Sequence, residues 1–134
     1  MIELSNTAAQ TLSTGQSITF DSTLLKMGCG ECHRTGSGSV RMAGRGVYEV
    51  HFSGNITGAT PATAVQLSIQ VGDETIAATT MTAVPAAAND YTTVSSTILL
   101  SNCCMDYGRV KVVNTGSASV TVDANSLFWI RRVA

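Results

Sequence analysis

The sequence predicts an all-β domain, a sandwich or barrel of short strands joined by turns. Eight or more segments alternate apolar and polar residues with the period of a β-strand, and glycine or proline separates them. No segment of the sequence has the apolar pattern that predicts a helix of ordinary length. Of the 134 residues, 44% are hydrophobic and only 13% are charged, as in a sheet protein whose outer positions carry Thr and Ser.

The longest predicted strand covers residues 46–56 and lies in the middle of a sheet. Its residues alternate between two sets, and neither set is uniformly polar. A strand covered on both sides, by a second sheet or by a neighbouring subunit, has such a composition. The two sets are Val47, Glu49, His51 and Ser53 on one face, and Tyr48, Val50, Phe52 and Gly54 on the other.

Before this strand, the pattern predicts short strands and one glycine-rich loop. Residues 24–27 fit either a strand or a single helical turn, and the pattern does not separate the two. Residues 28–38 contain four glycines and predict a loop. The predicted strands in this half are residues 2–4 with a continuation at 8–12, residues 18–20, and residues 39–43, which lead into a tight turn at 44–46.

After the central strand, a clean alternation at residues 64–71 predicts a strand that turns at Gly72 and returns over 74–80 as a hairpin. Residues 57–63 predict a loop. Residues 81–90, with Pro85 and a run of alanines, predict a long connection. The remaining predicted strands are residues 91–100, residues 108–114 and one final strand made of 119–122 and 126–132 with a bend near 123–125; a turn is predicted at 101–106.

Length and charge restrict the kinds of partner. A chain of 13.9 kDa fits one domain, residues 1–134. The net charge of −1 and the pI near 6.0 provide no basic field for nucleic acid or anionic lipid. The start at Met1 lacks the basic and apolar run of a secretory signal, and no segment has membrane-spanning length. We therefore expect synthesis in the cytosol, no nucleic-acid partner and no membrane insertion.

Residues 37–50 resemble the glycine-tyrosine block of the tumour-necrosis-factor-like and complement-type globular heads. Later segments agree in order: residues 65–74 are similar to the hairpin strand of those heads, 108–114 to their penultimate strand, and 126–130 to their closing strand. Two departures are the large residues Trp129 and Ile130, where the family usually has a small residue, and the lack of a collagen-like stalk. The collagen-associated immune roles therefore do not carry over.

The resemblance implies a jelly-roll β-sandwich of two antiparallel sheets that assembles as a threefold homotrimer and binds or displays rather than catalyses. In the family, the sheet with the central and closing strands faces the threefold axis. An apolar patch on that face would be costly on a monomer. The residues predicted for the trimer interface are Tyr48, Val50, Phe52, Leu127 and Trp129.

Four cysteines and one histidine form the only metal-like motif. Cys29, Cys32 and His33 match the C-x-x-C-H signature of c-type haem, but a cytosolic all-β chain is the wrong context for haem. A zinc site is a better alternative, completed by His33 or by one of Cys103 and Cys104. Reduced thiols are the main expectation, and a disulfide between the two loops is the remaining possibility. We predict no resident cofactor, with zinc as the alternative.

No arrangement of residues points to hydrolase chemistry. His33 and His51 have no motif-bound Ser, Cys or carboxylate beside them, and a strand histidine such as His51 is typically a packed or interface residue. One acidic pair, Asp73 with Glu74, supplies too few oxygens for a calcium site. Residues 36–38 lack the lysine and helix of a phosphate loop. The sequence therefore predicts a protein that is not an enzyme.

The resemblance implies a structural or adhesive homotrimer, and together with the observations above it predicts a place on a particle surface, on a bacteriophage virion as a head decoration, head fibre or tail tip. Its partners would be capsid or tail proteins. A virion protein folds in the host cytosol and reaches the exterior by lysis, which suits a display fold without a signal. Two alternatives stay open: a head on a spore or cell surface that binds a glycan or receptor, and a small zinc- or redox-responsive protein that uses the cysteines.

Overall fold

Strands dominate the chain, as the period-two pattern predicts. A computed structural model describes residues 1–28, 31–102 and 108–134, with residues 31 and 32 described by their backbone alone. Within these residues lie thirteen strands, one 3-10 turn at Ala77–Thr79 and no α-helix. The first six strands are β1 (Ile2–Ser5), β2 (Gln10–Leu12), β3 (Ser22–Lys26), β4 (Glu31–His33), β5 (Val40–Met42) and β6 (Gly46–Thr57). The others are β7 (Val65–Val71), β8 (Glu74–Thr75), β9 (Met81–Ala83), β10 (Thr92–Asn102), β11 (Arg109–Asn114), β12 (Val120–Val122) and β13 (Leu127–Arg132).

The strands form two antiparallel sheets around a shared core. The seven-stranded sheet has the order β2-β12-β6-β13-β1-β3, with β10 on the other side of β6. The six-stranded sheet has the order β4-β5-β11-β7-β8, with β9 also paired to β7. The long strand β6 pairs with β10 along one edge and with β13 and then β12 along the other. The predicted sandwich of two antiparallel sheets, with 46–56 as a central strand, is confirmed.

The core fills the space between the sheets with side chains from alternate strand positions. In β6, Tyr48, Val50 and Phe52 are fully buried, while the residues between them are half-buried. Phe20 stacks on Phe128 with ring centroids 5.1 Å apart and 9° between the planes. Offset aromatic pairs of this kind add to the free energy gained by burying apolar area.

Buried asparagines fasten the loops at the ends of the sandwich. The Asn6 amide donates to the carbonyl oxygens of Ala8 and Asp123, both at 3.0 Å, and its oxygen accepts from the Ser126 backbone N–H at 3.0 Å and from the Ser126 hydroxyl. Asn114 donates to Leu12 and Ala118 in the same manner. These bonds satisfy carbonyl groups that the sheets do not pair.

Several sequence-based boundaries are wrong in detail. The segment 28–38, predicted as a loop, contains β4, which pairs with β5. The segment 81–90, predicted as a connection, begins with β9, where Met81 and Ala83 are buried on either side of exposed Thr82. The hairpin arm predicted at 74–80 is shorter, because the chain leaves the sheet after Thr75 into the 3-10 turn.

The region before β3 also differs from its prediction. Residues 18–20 alternate in burial as expected, but they form no strand, and only Ser17 makes a bridge, to Val113. The undecided segment 24–27 is a strand up to Lys26. Among the described residues, no helix has the length and apolar character needed to cross a membrane.

Candidate subunit interface

The outer face of the seven-stranded sheet carries a continuous row of side chains across five strands. Strand pairing places Glu3 beside Trp129, Trp129 beside His51, and His51 beside Thr97. Leu25 extends the row on the far side of Glu3. Leu127 lies one step along β13 on the same face, and Leu99 lies one step along β10 with 62% of its surface exposed. This row and its neighbours are called the outer face below.

Two rings form the centre of the outer face. The Trp129 indole stacks on the His51 imidazole, with centroids 5.2 Å apart and 18° between the planes. His51 Nδ1 lies 2.7 Å from the Thr97 hydroxyl, so one hydrogen bond fixes the imidazole from the β10 side. Burial lowers the pKa of His51, and the nearby Glu49 carboxylate opposes this effect. The lowered pKa favours the neutral imidazole.

A charged pair borders the rings. Arg131 Nε donates to Glu49 Oε2 at 2.7 Å, and Nη2 of the same guanidinium lies 2.6 Å from that oxygen. The Arg131 guanidinium carbon also lies 5.5 Å from the Trp129 ring centroid, within the range of a cation–π contact. Trp129, His51, Arg131 and Glu49 thus form one ordered group on β6 and β13.

Three of the five predicted interface residues are wrong. Tyr48, Val50 and Phe52 are 0% exposed within a single chain, so they have no exposed surface that a neighbouring subunit could bury. Successive side chains of a strand point to opposite faces of the sheet. These three therefore point into the sandwich, while Glu49, His51 and Ser53 point outward. Leu127 and Trp129 do lie on the outer face and are half-buried. The interface prediction for Leu127 and Trp129 stays a prediction.

Solved structures share this architecture over almost the whole chain. The globular domain of zebrafish complement 1qA protein matches with a TM-score of 0.68 and 14% identity, covering 98% of each chain. The Eiger TNF from S. frugiperda matches with a TM-score of 0.75 and 13% identity, covering 99% of this chain and 91% of its own. This chain has the TNF-like jelly-roll fold. The PRD1 vertex protein P5 also matches, with a TM-score of 0.53, 16% identity and coverage of 99% and 97%.

The likeness is one of structure. No protein-family model matches the sequence, and neither does any curated protein. At identities of 13% to 16%, the shared jelly roll establishes the fold alone.

The cysteine motif falls largely outside the described residues. Cys29, Cys103 and Cys104 lie outside them, and Cys32 is described by its backbone alone, opposite Arg41 in the β4–β5 pairing. His33 Nε2 donates to the Ser37 carbonyl oxygen at 2.8 Å, and Nδ1 is the other ring nitrogen. That Nδ1 is buried and has no hydrogen-bond partner in the part of the chain that the structure describes. The zinc alternative stays a prediction.

Strand pairing also brings together residues that the sequence alone did not single out. Glu49 and Arg131 are 82 residues apart and meet only through the β6–β13 register. Arg41 and Arg109 meet in the same way across β5 and β11. Each is an unremarkable charge in a strand pattern, and only the register identifies its partner.

Proposed function

We propose that this protein is a non-enzymatic structural homotrimer that assembles through the outer face of the seven-stranded sheet. The observation that carries the proposal is the half-buried Trp129 on His51, with Leu127 and Leu99 on the same face. Large rings held in fixed positions lose little conformational entropy on association and are typical centres of protein interfaces. Complement- and TNF-type heads with this fold support a threefold arrangement.

The charged pair beside Trp129 fits this assignment. Interfaces typically place an apolar and aromatic centre inside a polar border, and Arg is enriched there while uncompensated charge is costly. Glu49 already neutralises Arg131 within one chain, so burial of both groups against a neighbour would leave no unpaired ion. The outer face therefore combines apolar area with internally satisfied charge.

The proposed location is a particle surface, as a virion protein of a bacteriophage that contacts capsid or tail proteins. The structural likeness to the PRD1 vertex protein P5 supports this placement. The low fraction of charged residues, 13%, suits a compact exterior protein rich in Ser and Thr. A head on a spore or cell surface is the competing location.

Two experiments test the proposal. Light scattering coupled to size exclusion should give a mass of about three times 13.9 kDa, and a stable monomer at micromolar concentration would contradict assembly. Proteomics of purified particles should recover the protein together with capsid or tail proteins. Recovery from spore coats alone would replace the virion location with the competing one.

A further inference from the structure

The outer face of the six-stranded sheet carries a pair of arginines. Arg41 in β5 lies directly opposite Arg109 in β11. Their strand neighbours Val40, Met42 and Val110 are buried in the core, so both arginine side chains leave the sheet on its solvent side. On that side Arg109 is exposed and Arg41 is half-buried.

The pair lines a cavity of suitable size for a small ligand. The cavity measures about 450 Å³ and lies within the range of small-molecule sites, roughly 300 to 1,000 Å³. Its lining residues are His33, Arg34, Ser37, Ser39, Arg41 and Arg109. A neighbouring cavity of about 440 Å³ shares Arg109 and the two serines and adds Lys111, whose Nζ is 4.0 Å from Asp73.

Half of the basic residues of the chain therefore meet at one place. The sequence has eight lysines and arginines, and four of them line these two adjoining cavities, where Asp73 of the second cavity contributes one negative charge. With a net charge of −1 overall, this concentration of positive charge is a local feature and not a property of the whole surface. A local cluster of guanidinium groups is the usual means of holding a carboxylate or a sulfate.

The serine loop is fixed beside the arginines. The Ser39 backbone N–H donates to the Ser37 hydroxyl oxygen at 3.2 Å, and Arg109 Nη1 lies 3.5 Å from the Ser39 hydroxyl. Between the serines, a Cβ on Gly38 would lie 2.4 Å from the Ile18 carbonyl oxygen, so only glycine lets the loop pack this closely. The hydroxyl groups are thus positioned before any ligand arrives.

We propose that this cavity binds an acidic saccharide, with Arg41 and Arg109 holding its carboxylate or sulfate and the two serine hydroxyls bonding its neighbouring hydroxyl groups. Arginine presents a planar fork of donors that matches either oxyanion. An extended polyanion such as nucleic acid fits less well, because the exposed Asp73 carboxylate stands at the edge beside Lys111. One chain forms the whole cavity, on the sheet opposite the candidate subunit interface.

The test uses calorimetric titration of the full chain at constant ionic strength with four probes: sialyllactose, galactose 6-sulfate, lactose and inorganic sulfate. We expect one saturable site per chain for at least one of the two acidic sugars and none for lactose. Arg109→Glu should weaken that binding by about tenfold or more, since it removes charge-assisted hydrogen bonds and adds a negative charge. The new carboxylate would face Arg41, so the variant should keep its fold, and Arg109→Gln is a second variant.

The matched control is Arg45→Glu, an equal charge change at an exposed position outside the cavity lining. Equal weakening by Arg45→Glu would reduce the effect to general electrostatics and overturn the inference. Inorganic sulfate that binds as tightly as both sugars, or lactose that binds as well as they do, would overturn the saccharide assignment. A monomer that binds the sugars would contradict only the proposed trimer, and a trimer that binds none would contradict only this inference.

Discussion

The Trp129 indole lies flat against the His51 imidazole, with ring centroids 5.2 Å apart. This contact joins β13 to the central strand β6 on the side of the sheet that faces away from the core. Arg131 and Glu49 extend it by a cation–π contact and an ion pair. An ordered group of this kind on an outer sheet face is the central feature of the proposed trimer, and it leads to the first prediction.

Trp129→Ala should dissociate the trimer and leave a folded monomer. The side chain is half-buried in one chain, so its removal costs the monomer less than a truncation in the core, while truncation of an aromatic residue at an interface centre typically costs about 2 kcal/mol or more. Sedimentation across a dilution series measures this effect. Val84→Ala, which shortens a 59% exposed apolar side chain away from the seven-stranded sheet, is the control and should stay trimeric. A trimer unchanged by Trp129→Ala would place the interface elsewhere.

Phe52→Leu should destabilise the fold and leave the trimer assembled. Because Phe52 is 0% exposed in the core, we expect a loss of about 1 to 2 kcal/mol in the free energy of unfolding and no change in the monomer–trimer equilibrium. Denaturant unfolding and dilution-series sedimentation measure the two quantities separately. Dissociation without loss of stability would instead restore Phe52 to the interface.

The two faces of β6 show which features of the fold can be predicted from the sequence and which cannot. Its alternation correctly separates Tyr48, Val50 and Phe52 from Glu49, His51 and Ser53. Which set faces the core depends on the partner strand, and the pairing of Phe52 with Phe128 and of His51 with Trp129 decides it. Grouping Trp129 with Phe52 therefore combined opposite faces of one sheet, an error that periodicity within single strands cannot reveal.

Short strands and long-range polar contacts could not be predicted from the sequence, because they too depend on partners that are distant along the chain. Strands β4 and β9 have three residues each, too few for a periodic pattern, and they are strands because β5 and β7 pair with them. Asn6 reads as a surface turn residue, yet it is 1% exposed and binds Ser126, 120 positions away. The fold class, by contrast, follows from local alternation and was predicted correctly.

Asn6→Ala should lower the free energy of unfolding by about 2 to 4 kcal/mol. It removes two donors from part-buried carbonyl oxygens and one acceptor from the buried Ser126 groups, and each fully buried group left unpaired costs about 1 to 3 kcal/mol. Asn55→Ala is the control: Asn55 is exposed and accepts one bond from Thr93, so we expect a loss below about 1 kcal/mol. Equal losses in denaturant unfolding would show that Asn6 does not fasten the loops.

The cysteines should behave as free thiols. Vicinal Cys103 and Cys104 are poorly arranged to bind one ion together, so we expect all four cysteines to react with a thiol reagent and a chelator to leave the melting temperature unchanged. Elemental analysis provides the independent measurement. About one zinc ion per chain, with a melting temperature that falls on chelation and a loss of zinc in Cys29→Ser, would establish the metal site instead.

Acid should weaken the protein through His51. Burial lowers the pKa of His51 below its ordinary value of 6.5, so the unfolded chain takes up this proton first as the pH falls. The stabilising contribution of neutral His51 is therefore fully present above about pH 6.5 and is lost as the pH falls through the lower, folded-state pKa. His51→Gln should flatten the decline in melting temperature between about pH 7 and about pH 5.

Asp21→Asn is the matched control for this titration. Hydrogen bonds from Thr7 lower the pKa of Asp21 from its ordinary value of 3.8, so its contribution is lost only in a more acidic window. The slope between about pH 7 and about pH 5 should therefore survive Asp21→Asn. If the outer face is buried in the trimer, the same acidification should also dissociate it, since each protonated His51 would add a charge beside Trp129. A trimer and a melting temperature that both resist about pH 5 in the wild type would contradict a role for His51 in the acid response.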